Sequence, residues 1–118
     1  MIDESAGQKE WQEVSVPLPA SGSTCPFTVD GQALLLCNVD GQAYVVADKC
    51  SHANAPLARG RLSGHVLECP LHGGKLDVRD GKPVQNPIRK PVAVYPVRNR
   101  DGRFEISLQP SGLENNNA

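Results

Sequence analysis

The 118-residue chain is poor in aromatics, with one Trp, two Tyr and two Phe. A core therefore has to be assembled mostly from Val, Leu and Ile, and packing into that core is the expected fate of Trp11, Phe27, Tyr44, Tyr95 and Phe104. The chain also lacks an excess of charge: 12 Lys and Arg stand against 13 Asp and Glu, with a pI near 6.3. Nothing in that balance suggests nucleic acid or an anionic membrane as a partner. No apolar run approaches the roughly 18 residues that read as a membrane span. The N-terminal MIDESAGQKE has no apolar segment of signal-peptide type, so the expected location is the cytoplasm. Sustained helical periodicity is missing, and ten Pro with eleven Gly leave little room for a long helix.

What the chain does have is Asp-Gly, four times: Asp30-Gly31, Asp40-Gly41, Asp80-Gly81 and Asp101-Gly102. Asp-Gly favours hairpin turns because both residues tolerate positive φ. Strands are predicted at Ala33–Val39, Ala43–Ala47, His65–Glu68, Lys75–Val78, Val92–Val97 and Phe104–Leu108. These elements make a small antiparallel all-β domain, a sandwich or barrel-like stack of short sheets. The boundaries read as a flexible N-terminal arm at 1–10, one domain at 11–110 and a flexible tail at 111–118.

Four cysteines and three histidines carry the chemistry. Cys25 and Cys37 have no His at ligand spacing and read as packed or half-buried thiols. Cys50 and His52 form C-S-H; Cys69 and His72 form C-P-L-H, with sixteen residues between His52 and Cys69. The expected positions are two loops at neighbouring strand ends. Structural zinc accepts such a donor set, but zinc fingers generally group two thiols and then two imidazoles. Here each short run mixes the two. A two-iron cluster accounts for the mixing if each loop gives its Cys to one iron and its His to the other, as in Rieske centres. His65 lies outside both pairs and reads as a surface or strand histidine, not a ligand.

From Asp48 to Val97 the sequence resembles the Rieske ferredoxins. The resemblance rests on C-S-H, C-P-L-H and the following GGKLDVRDGKPVQNPIRKPVAVYPV. It implies a Rieske fold with a cluster-binding subdomain at about 48–90, and one Rieske 2Fe–2S cluster per chain. Cys50 and Cys69 would hold the inner iron, and His52 and His72 the outer one. Gly73 and Gly74 would admit backbone amides to the cluster sulfurs, and Pro87 would sit in the loop covering the cluster. Ala53, Leu71 and Pro87 would form an apolar rim.

The resemblance also implies a role: a monomeric one-electron carrier with transient docking, not itself an enzyme. It would accept electrons from a flavin-dependent ferredoxin reductase and pass them to a terminal aromatic-ring-hydroxylating oxygenase. A Rieske-fold small subunit of a larger redox enzyme, such as assimilatory nitrite reductase, is the alternative, and a structural zinc module the third reading. High-potential Rieske proteins carry an extra cysteine in each loop, where this chain has Ala55 and Leu71. They also carry hydroxyls where Gly74 and Leu76 stand. Hydrogen bonds to sulfur raise the potential, so a value at the low end of the Rieske range is expected, on the order of −150 mV. Residues 48–90 hold eight Lys and Arg against four acids, net +4, while the remainder holds four against nine, net −5. That asymmetry suggests a dipolar carrier whose basic end docks an acidic patch.

Overall fold

Residues 32–39 are an apolar run, QALLLCNV, in which the last six positions are all buried. A half-buried strand alternates; this one does not, because both of its faces are covered. Leu34 and Leu36 pack into one cluster with Val14, Ala43, Val45 and Ile106. Leu35, Cys37 and Val39 pack into another, with Val46, Leu57, Leu67 and Leu76. Burying one such Leu contributes about 1.5–3 kcal/mol, so this strand anchors two cores at once. The computed structural model describes residues 11–50, 55–71, 73–100 and 103–108.

Among the described residues three antiparallel sheets form, in the expected all-β class. The central one has the order β2-β3-β4-β9, made of β2 (Thr24–Val29), β3 (Gln32–Val39), β4 (Gln42–Ala47) and β9 (Val94–Tyr95). Its two hairpins turn at Asp30-Gly31 and Asp40-Gly41, where all four residues have positive φ, from 50° to 90°, as a two-residue turn of this type requires. A second sheet, β1-β11-β10, joins β1 (Trp11–Glu13), β11 (Arg103–Ser107) and β10 (Val97–Arg100). The third, β5-β6-β7-β8, is built from β5 (Arg61–Ser63), β6 (Val66–Glu68), β7 (Lys75–Asp77) and β8 (Pro83–Gln85). A 3-10 turn, Leu57–Arg59, leads into it.

Several expectations need correction. The strand predicted over Val92–Val97 is two strands: Val94 pairs with Val46 in the central sheet, and Val97 pairs with Ile106 in the second. The chain changes sheets at Pro96, which has no N–H for a continuous ladder. Strands β1, β2, β5 and β8 were not foreseen. Trp11 belongs to neither core; the Arg98 guanidinium lies over its ring, 4.2 Å from the centroid, while Arg98 also binds Glu105 at 2.7 Å. The other four aromatics pack half-buried against the two clusters. Asp101-Gly102 lies outside the described residues, as do residues 1–10 and 111–118.

Candidate metal centre

Cys50 follows β4 and Cys69 follows β6, as the sequence led us to expect. Each donates its backbone N–H to the carbonyl five residues ahead: Cys50 to Ala55 at 2.9 Å, and Cys69 to Gly74 at 2.7 Å. Two loops of equal length thus start at a cysteine and close by the same bond. His52 falls within the first loop and His72 within the second by sequence number. Both lie outside the described residues, as does Ala53.

Both cysteines are almost fully buried, at 2% and 1% exposure, within the apolar cluster of Leu57, Leu67, Leu76 and Ile88. Their thiols are hydrogen-bonded to one another. Burial pushes the Cys69 thiol above its ordinary pKa and the Cys50 contact adds to the rise, while the Leu71 N–H, donating to the sulfur, opposes it. Two sulfurs in an apolar setting with an amide aimed at one of them suit a soft metal, which would replace the protons and take the thiolates directly. This donor chemistry fits one end of an iron–sulfur cluster. Among the described residues no three His, Cys, Asp or Glu side chains converge on a metal position; the remaining donors must come from elsewhere.

The loops are held from behind. The Asp48 carboxylate accepts the Ala58 N–H at 2.8 Å, tying the approach to Cys50 to the 3-10 turn. Gln85 on β8 donates to the Gly73 carbonyl at 3.0 Å. Gly73 has φ +74°, a conformation that favours glycine. At Gly74 a Cβ would come within 2.7 Å of Ile88 Cγ1 and 3.1 Å of the Ile88 nitrogen. The glycine at 74 therefore admits Ile88 to the base of the loop, whatever else it admits on the other side. Pro87 is half-buried just before Ile88, and Leu71 stands 43% exposed beside Cys69. Leu76 is completely buried in the cluster that contains both cysteines.

The other two cysteines are accounted for differently. Cys37 is buried on β3, and its thiol is pushed up to about 12 by burial and then by Asp48, so it stays protonated at neutral pH. Cys25 is half-buried on β2, and both thiols are free. His65 sits in the β5–β6 turn with its ring edge-on to Tyr44, centroids 5.6 Å apart. Sequence reasoning missed Asp48, Ala55, Gln85 and Ile88. Backbone acceptors such as Ala55 leave no side-chain signature, and Ile88 reads as one aliphatic among many.

Residues 11–96 match the Rieske [2Fe-2S] domain family. The ferredoxin component of the naphthalene 1,2-dioxygenase system of Pseudomonas putida is 37% identical over 87 residues, covering 74% of this chain and 84% of the relative. The ferredoxin of carbazole 1,9a-dioxygenase from Nocardioides aromaticivorans IC177 superposes with a TM-score of 0.76 at 31% identity, over 80% of this chain and 96% of that one. A chain in the complex of reduced oxygenase and oxidised ferredoxin of carbazole 1,9a-dioxygenase gives a TM-score of 0.81 at 29% identity, covering 88% and 98%. A family match over most of the chain and near-complete coverage of ferredoxin-sized relatives leave the zinc-module reading without support: the chain belongs to the Rieske [2Fe–2S] family, among its ferredoxins.

Proposed function

We infer that the protein is the ferredoxin of an aromatic-ring dioxygenase system, a one-electron carrier between a flavin-dependent reductase and a terminal oxygenase. Its relatives are named as ferredoxin components of such systems, and the carbazole complex pairs a ferredoxin with its oxygenase. The protein is the electron-transfer component and not the catalyst. Among the described residues no helix is long and apolar enough to cross a membrane, and the cytoplasm is the compartment we propose. A single domain spanning 11–110 is our proposal for the domain layout.

The observation that carries the site assignment is the pair of equal loops, each opening on a buried cysteine. We assign Cys50 and Cys69 to one iron and His52 and His72 to the other. Bound there, a Rieske cluster supplies one reversibly held electron. The chain's own contribution is positional. Leu57, Leu67, Leu76 and Ile88 keep water from the two sulfurs. The Leu71 amide stabilises negative charge on Cys69. Neutral imidazoles in place of two thiolates would leave the site less negative, so an added electron costs less.

Metal and sulfide analysis with EPR of the dithionite-reduced protein tests this. Two irons and two sulfides per chain are expected, with an average g value below that of an all-thiolate cluster. One zinc per chain in a colourless anaerobic preparation would refute it.

A further inference from the structure

Arg59 ends the 3-10 turn and Arg61 opens β5, and both are exposed. Between them a Cβ on Gly60 would collide with the Glu68 carbonyl oxygen. Only a glycine lets the arginine-bearing segment lie directly on the backbone of β6, one residue before Cys69. The result is an open groove of about 440 Å³ lined by Arg59, Gly60, Arg61, Glu68, Cys69 and Pro70.

Three of the four acids within residues 48–90 are engaged elsewhere. Asp48 accepts the Ala58 N–H, Asp77 binds Arg79 at 2.7 Å, and Asp80 accepts the Lys82 N–H. Glu68 lines the groove, but its Oε2 lies 3.7 Å from where a Gly73 Cβ would be, turned toward the 69–74 loop. Neither Arg59 nor Arg61 makes an ion pair among the described residues, whereas Arg98 and Arg103 on the β1-β11-β10 sheet are both paired with glutamates. Unpaired guanidiniums are suited to carboxylates.

We propose that this groove is the seat for an acidic side chain of a protein partner, a docking point that sets the Cys69 loop against the partner surface. Exposed Leu71 and Pro70 beside it supply apolar contact. The proposal rests on the electron-carrier reading and adds to it the charge of the partner's face and the two residues that recognise it.

The test oxidises the dithionite-reduced holoprotein with one of two outer-sphere probes, hexacyanoferrate(III), an anion, or hexaammineruthenium(III), a cation. One electron passes from protein to probe, and the recovery of visible absorbance is followed by stopped flow. At 10 mM ionic strength Arg59→Gln and Arg61→Gln should each slow the anionic probe about three-fold and the double variant about ten-fold, with the effect shrinking at 300 mM. The cationic probe should not be slowed. Poly-L-glutamate should inhibit the anionic reaction of the wild type and not of the double variant. Arg103→Gln, which removes the same charge from the other sheet, should leave the rates within two-fold. Rates that respond equally to Arg103→Gln and to the groove variants, or no inhibition by poly-L-glutamate, would overturn the groove. A preparation that dithionite does not bleach would overturn the electron-carrier reading, and the groove's role with it.

Discussion

The contact between Gly74 and Ile88 offers the sharpest test of how the second loop is held. A methyl group at 74 would sit 2.7 Å from Ile88 Cγ1 and 3.2 Å from its Cδ1, well inside ordinary van der Waals contact. Overpacking of this kind costs about 1–3 kcal/mol. Ile88 is 1% exposed; cutting it to alanine removes three carbons and leaves a void, at about 2–5 kcal/mol. The two penalties cannot add. With Ile88 cut back, Cγ1 and Cδ1 are gone, while the Ile88 nitrogen, at 3.1 Å, still crowds a Cβ at 74. The double variant should therefore be less damaged than the sum by about 1–2 kcal/mol. The readout is loss of visible absorbance of the holoprotein in fixed urea, since opening of this loop must precede cluster loss. Relative to the product of the two single-variant accelerations, the double variant should lose its colour about five- to thirty-fold more slowly. Accelerations that multiply to within two-fold would show that Ile88 does not explain the glycine.

Replacing His52 or His72 with Cys should lower the reduction potential by on the order of 100 mV if a cluster assembles, because a neutral ligand gives way to an anionic one; a redox titration followed by visible absorbance reads it, and an unchanged potential contradicts the charge argument. Gly81 combines φ +77° with a site where a Cβ would collide with the Val92 carbonyl, while Gly31 has φ +80° and open space around it. Gly81→Ala should cost about 3 kcal/mol or more and Gly31→Ala about 1 kcal/mol, measured as the rate of colour loss on heating; equal losses would refute the collision. The Arg79 guanidinium beside Asp77 holds its carboxyl below the usual value of 3.8. A carboxylate with a depressed folded-state pKa gives stability that is present above 3.8 and disappears as pH falls through the lower value. Asp77→Asn should therefore lose colour faster than wild type at pH 7, with the gap narrowing below pH 3.8; a gap independent of pH would refute the linkage.

The sequence by itself determined the chemistry and the class of the fold. Asp30-Gly31 and Asp40-Gly41 specify their hairpins because the turn conformation is a local property of those two residues. The mixed Cys and His pairs are legible because ligand type and spacing survive in one dimension. Strand β2 was not legible: Pro26 argues against a strand, and only its place at the edge of the central sheet makes a proline tolerable there. The break at Pro96 was hidden for the converse reason, since VAVYPV looks continuous until two different sheets claim its halves. Only the tertiary structure decided what stands behind and beside the cysteines. Ile88 reaches the base of the loop at Gly74, Asp48 caps the amide of Ala58, and Gly60 lets Arg59 and Arg61 lie on β6. These contacts join residues eight to fourteen positions apart, and each has a backbone partner (the Ile88 nitrogen, the Ala58 N–H, the Glu68 carbonyl) that is the same in every amino acid, so no local pattern of side chains could announce them.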